Sequence, residues 1–83
     1  MAKVLISLSV PVIGEKYDMF VPDDVVIESL TKIVAQGVFD ICGGKYLISG
    51  SEMLMKLNPE ELLNPQKRLK DYGVLDGEHM MMI

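Results

Sequence analysis

Between residues 23 and 37 the chain places Val26, Ile27, Leu30, Ile33 and Val34 at i, i+1, i+4, i+7 and i+8. That spacing gathers them into one apolar stripe on an α-helix. Glu28, Ser29, Thr31, Lys32 and Gln36 fall largely off it. Pro22 precedes the segment, and Asp23 or Asp24 is suited to cap the first N–H groups and to complement the positive end of the dipole. Gly37 is suited to the left-handed conformation that closes a helix. A single amphipathic helix must bury its stripe, and the rest of the chain reads as strands, turns and short helices, so the covering layer is a sheet.

A chain of 83 residues makes one domain around one core, here residues 1–83, and buries roughly 60–65% of its unfolded surface. At 49% hydrophobic and 24% charged it is a globular composition. The net charge of -4 opposes the basic face that nucleic acid requires and opposes adhesion to anionic membranes. Cys42 is the only cysteine, which excludes an internal disulfide and fits a reducing, cytoplasmic setting. The apolar run at residues 4–12 is interrupted by Ser7, Ser9 and Pro11 and lacks a small-residue cleavage site, so it is not read as a signal peptide. No stretch approaches the ~20 apolar residues of a membrane span.

Taken in order, residues 3–10 alternate: Val4, Ile6, Leu8 and Val10 on one face, Lys3, Ser7 and Ser9 on the other, with Leu5 the exception. This is a half-buried strand. A short turn with Pro11 and Gly14 leads to a second strand at 16–21, with Tyr17, Met19 and Val21 on one face and Asp18 and Phe20 on the other; so short a link predicts an antiparallel hairpin. Beyond Gly37, residues 38–42 are a short apolar run ended by Gly43-Gly44. Residues 45–49 read as a third strand stopped by Gly50-Ser51. Residues 53–57 read as a fourth strand or an irregular apolar segment. Asn58-Pro59-Glu60-Glu61 has the marks of a helix start, with Asn64-Pro65 ending that helix within about two turns. One helical turn at 69–73 is closed by Gly73, Asp76-Gly77 is a tight turn, and residues 78–83 form a last strand with Met80 and Met82 on one face. The predicted class is α+β: a mixed four- to five-stranded sheet with one main helix packed across it, the last strand lying parallel beside the first by a fold-level inference.

Three segments carry a family resemblance: residues 19–24 leading into Ile27-Glu28-Ser29-Leu30, residues 45–50, and Leu69-Lys70-Asp71-Tyr72-Gly73-Val74 with Asp76-Gly77-Glu78 and the final strand. Together they resemble ubiquitin-like β-grasp proteins over nearly the whole chain. Leu69 through Ile83, with Val10-Pro11 and Lys16-Tyr17-Asp18, looks closer still to the YukD/EsaB family of bacterial ubiquitin-like proteins tied to type VII secretion. Residues 51–68 form a longer segment than ubiquitin has before its final turn. The resemblance implies a protein partner, such as a cytosolic domain of a secretion-machinery membrane protein. It also implies that Tyr72 packs against its own turn and bonds to the backbone. Conjugated members end in a flexible Gly-Gly tail, whereas this chain ends at Ile83 within the predicted strand, so covalent conjugation and sulfur carriage are not expected.

No residue set looks catalytic, no cofactor is implied, and an enzyme is not expected. His79 is the only histidine and sits on the outward face of the last strand; with a single cysteine it assembles no zinc site. Cys42 reads as a small buried residue. Asp23-Asp24 and Glu60-Glu61 read as helix-start acids, and Gly43-Gly44 as a turn. That leaves surfaces. Of seven methionines, Met19, Met80 and Met82 are assigned to the core by strand parity. Met81 is expected to face outward beside Leu47 of the third strand and Leu5 of the first, so Leu5, Leu47 and Met81 form the candidate protein-interaction surface. Met53, Leu54, Met55 and Leu57 are a second candidate, more simply read as packing beneath their loop. The expected role is a non-conjugated docking module serving secretion, or else a small ubiquitin-like subunit of an unrelated enzyme complex. The oligomeric state stays open.

Overall fold

The computed structural model describes residues 2–83. Strand β1 (Lys3–Val10) passes through a 3₁₀ turn at Pro11–Ile13 into β2 (Glu15–Pro22). Gly14, at φ 64°, takes the left-handed conformation that closes the turn. The strands pair antiparallel from Lys3↔Pro22 to Val10↔Glu15, as the alternation and the short link predict. β5 (Glu78–Met82) lies parallel to β1, with Leu8 opposite Met80. β3 (Leu54–Lys56) runs antiparallel to β5, and β4 (Glu61–Leu62) antiparallel to β3. The sheet order is β2-β1-β5-β3-β4, and helix α1 (Ile27–Ile41) packs across one face. This is the ubiquitin-like β-grasp.

Every second residue of β1 is buried: Val4, Ile6, Leu8 and Val10. They meet Met80 and Met82 of β5, Leu54 of β3, and Ile27, Leu30, Val34, Ala35 and Val38 of the helix in one continuous core. Met19 and Tyr17 pack against its margin, half-buried.

The helix differs from its prediction at both ends. It begins at Ile27 and neither Asp23 nor Asp24 caps it. Its first amides are satisfied instead by backbone carbonyls from a distant segment: Ile27 N–H donates to Lys67 O at 2.7 Å and Glu28 N–H to Pro65 O at 3.0 Å. It then runs through Gly37, taking in most of the run at 38–42, and ends at Cys42, where Gly43 and Gly44 have φ of 67° and 88°. The buried stripe is therefore longer and rotated. Thr31, Ala35 and Val38 are inside it, with the Thr31 hydroxyl donating to Ile27 O at 2.7 Å, while Ile33 is 50% exposed. At roughly 100° per residue, Ile33 falls on the flank of a stripe centred on Leu30, Val34 and Val38.

Residues 45–49 are not a strand. Two of their amides are taken by side chains: Tyr46 N–H points at Cys42 Sγ, 3.2 Å away, and Ser49 N–H donates to Glu52 Oε2 at 2.7 Å. The strand beside β5 is Leu54–Lys56, within the stretch 53–57. No helix starts at Asn58 either. Asn58 has φ 67°, a left-handed value that asparagine tolerates in turns, and the chain folds back so that Leu63 N–H donates to Leu54 O at 3.0 Å. Glu60 and Glu61 are then exposed residues of a returning hairpin, not helix-start acids. The turn at Leu69–Tyr72 ends at Gly73 with φ 65°, as predicted. Tyr72 OH accepts the Asn64 amide at 2.8 Å and ties the long segment down. No helix among the described residues is long and apolar enough to cross a membrane.

Candidate interaction surface

The helix covers one face of the sheet and leaves the other open. Strand parity puts Leu5, Ser7 and Ser9 of β1 on the open face, with Lys16, Asp18 and Phe20 of β2 and His79 and Met81 of β5. The ladder fixes their neighbours: Leu5 is opposite Phe20, Ser7 opposite Asp18 and His79, and Met81 opposite Met55. Met55 is in turn opposite Leu62. Leu5 and Met81 thus share this face but do not touch: Met81 is level with Ser9, about 13 Å along the strand from Leu5 at 3.3 Å per residue.

Leu47 does not join them. It is 77% exposed, outside the sheet, and borders a cleft with Val12, Met82 and Ile83. The face carries two apolar groups separated by Ser7, Asp18 and His79. One is Leu5 with Phe20, and the other is Met81 with Met55 and Leu62. Phe20 is 67% and Leu62 53% exposed, while Leu5, Met55 and Met81 are half-buried. Residues 53–57 divide between the two sides of the sheet: Leu54 packs in the core, while Met55 turns outward next to Met81. The parity of Phe20 was readable from the alternation; Met55 was hidden because a three-residue strand has too little alternation to set its phase.

The segment before β3 is organised by one carboxylate. Glu52 accepts from Tyr46 OH at 2.6 Å, from Ser49 N–H at 2.7 Å and from Gly50 N–H at 3.0 Å. Burial works against its charge, but these donors prevail and hold it down from 4.5 to about 2. Burial, then the bond to Glu52 and its charge, push the Tyr46 phenol up to about 12. A carboxylate held low contributes stability in full above its ordinary value, and that contribution is lost as pH falls through the folded value. The segment is therefore expected to loosen as pH falls from 4.5 toward 2. The amide resonances of Ser49 and Gly50 should report that step, and Glu52→Gln should abolish it; a titration unchanged by the substitution would assign the step elsewhere.

The described residues contain no group of three or more His, Cys, Asp or Glu side chains placed to hold a metal ion. His79 is exposed, and Cys42 is buried with its thiol 3.5 Å from Phe39 O. Asp23 and Asp24 precede the helix without bonding to its amides. What this arrangement offers is a sheet face with apolar and polar zones and no assembled catalytic or metal-binding group among the described residues.

The architecture is the ubiquitin-like fold, and solved structures share it. The ubiquitin-like domain of Plasmodium falciparum Dsk2 is similar over 98% of this chain and 96% of its own, at 21% identity and a TM-score of 0.72. The ubiquitin-like domain of the Mycobacterium tuberculosis type VII secretion system protein EccD1 is similar over 100% and 99%, at 16% identity and a TM-score of 0.67. Caldiarchaeum subterraneum ubiquitin is similar over 99% and 92%, at 19% identity and a TM-score of 0.69. No family model and no curated protein sequence matches the chain. At these identities the likeness establishes the fold.

Proposed function

We propose that this chain is a non-enzymatic, non-covalent docking module, a cytoplasmic accessory or regulatory component of a bacterial type VII secretion system. It binds a cytosolic domain of the secretion machinery through the open face of its sheet. The observation that carries the docking reading is the Met55–Met81–Leu62 group, held side by side by the ladder on the face opposite the helix. Methionine is adaptable and polarizable, suited to a surface that must fit a partner's apolar anchor. The secretion reading is supported by the fold shared with the EccD1 domain and by the resemblance of residues 69–83 to the YukD/EsaB ending.

The test is affinity capture from the native host with the wild type and with Met55→Lys/Met81→Glu, which puts opposite charges on the two facing residues. Both side chains are half-buried on a face without a covering layer, so the variant should keep its circular dichroism spectrum. It should also lose the partner by about tenfold or more, the cost of charging an apolar hot spot. Recovery of a secretion component by the wild type alone supports both parts of the reading. Undiminished capture by the variant overturns the role of the face. Consistent recovery of an unrelated enzyme complex overturns the secretion role and favours a small subunit of that complex.

A further inference from the structure

β2 is the outer strand of the sheet, and its free edge is eight residues long. Which backbone groups it presents follows from the hydrogen-bond phase. Leu5 turns its backbone toward β5: its carbonyl accepts from Gly77 N–H at 2.8 Å, and its N–H donates to Asp76 Oδ1 at 2.8 Å. Asp23 N–H donates to Ala2 O at 3.1 Å, extending the β1–β2 ladder by one pair. Even-numbered residues of β1 therefore bond to β2, through its odd-numbered partners Tyr17, Met19 and Val21. The N–H and C=O groups of Lys16, Asp18 and Phe20 point away from the sheet, and Pro22 has no N–H to offer.

The helix flank above this edge is apolar and uncovered. Glu28, Thr31, Lys32 and Gln36 line the groove on the β3 and β4 side, with Leu54 and Leu63. At roughly 100° per residue, Ile33, Gly37 and Ile41 fall on the opposite flank, toward β2. Ile33 is 50% and Ile41 58% exposed, and Gly37 has open space where a side chain would project. A strand added at the edge would satisfy the free backbone groups and bring its inward side chains under these isoleucines.

We infer that the strand added there is β2 of a second copy of this chain, paired antiparallel about a twofold axis through Tyr17. Charge selects this occupant and this register. With the axis at Tyr17, Lys16 faces the partner's Asp18 and Asp18 faces the partner's Lys16, both as pairs whose backbones bond. Moving the axis one residue either way opposes Lys16 to the partner's Lys16 or Asp18 to the partner's Asp18, and like charges directly opposed are unfavourable. Neither side chain has an ion-pair partner within the chain among the described residues. The contact is self-complementary, as a twofold interface must be. It joins the two sheets into one, with Tyr17 of each copy at its centre and the two isoleucine flanks facing each other across the seam. Its charge pairs lie on the open face but at the β2 edge, apart from the Met55–Met81–Leu62 group on β3, β5 and β4, so its test can fail or succeed without deciding the docking reading.

The test is sedimentation equilibrium from micromolar to millimolar protein at low salt, with Lys16→Asp, Asp18→Lys and the double exchange. The wild type should dimerise. Each single reversal opposes like charges twice and should weaken the dimer by about tenfold or more, and the double exchange should restore it. Amide exchange at Lys16, Asp18 and Phe20 of the wild type should slow as concentration rises, a readout that needs no variant. A wild type that stays monomeric, a dimer indifferent to single reversal, a folded double exchange that remains monomeric, or edge amides that stay open at millimolar concentration would each overturn the inference.

Discussion

Replacing Leu30 by alanine should lower the unfolding free energy by about 3 kcal/mol, within the range of about 2–5 kcal/mol for such truncations. Leu30 is 0% exposed. It sits mid-stripe on the only α-helix among the described residues, where its side chain closes the core over β1 and β5. A domain of this size has a total stability of roughly 4–12 kcal/mol, so the loss is a large part of the whole. It should shift the thermal midpoint by roughly 12–24 °C at about 4–8 °C per kcal/mol. Ile33 is the matched control, an apolar residue one turn away on the same helix. Because Ile33 is 50% exposed, Ile33→Ala should cost less than about 1 kcal/mol. Urea denaturation of both variants decides the matter. Equal losses would mean that the helix is rotated from the phase described, and that the apolar flank above β2 is part of the core.

The contrast between these two residues shows where local reading reaches and where it stops. β1, β2 and β5 were legible because a face-alternating strand carries its own phase: Val4, Ile6, Leu8 and Val10 are buried as a set, and so are Met80 and Met82. The helix was legible as an element, but its ends were not. Asp23 and Asp24 look like caps, yet the groups that satisfy Ile27 and Glu28 are carbonyls of Lys67 and Pro65, and no nearby residue announces them. With the start displaced and the helix continued through Gly37, the stripe turned, and Ile33 moved out as Thr31 and Val38 moved in. Residues 45–49 carry strand propensity, but the Glu52 carboxylate and the Cys42 sulfur draw two of their amides locally. With these two amides bonded locally, the segment stays outside the sheet, and β3 takes the place beside β5. That exchange removed Leu47 from the candidate surface and put Met55 in its place. The open face was thus readable in part: Leu5 and Met81 from alternation, but their partners only from long-range register.

The second large effect is expected at Leu69→Ala, and it should be felt at the other end of a chain of contacts. Leu69 is 0% exposed and begins the 3₁₀ turn at Leu69–Tyr72. It pins the stretch whose carbonyls cap the helix: Lys70 N–H donates to Asp23 O at 3.1 Å, Arg68 Nε to Asp24 O at 2.9 Å, and Val26 and Arg68 form an isolated β-bridge. Truncation should cost about 2–5 kcal/mol for the cavity alone. An unmade buried hydrogen bond costs a further ~1–3 kcal/mol, so loosening the cap adds to that loss. Where the first term dominates, exchange accelerates uniformly across the core. The capping arrangement instead predicts that the amides of Ile27 and Glu28 accelerate more than those of Val34 and Val38, which bond within the helix. Hydrogen exchange followed residue by residue separates the two. Uniform acceleration would show that Leu69 only fills space, whereas selective release at Ile27 and Glu28 would show that a buried leucine more than forty positions away holds the start of α1 in place.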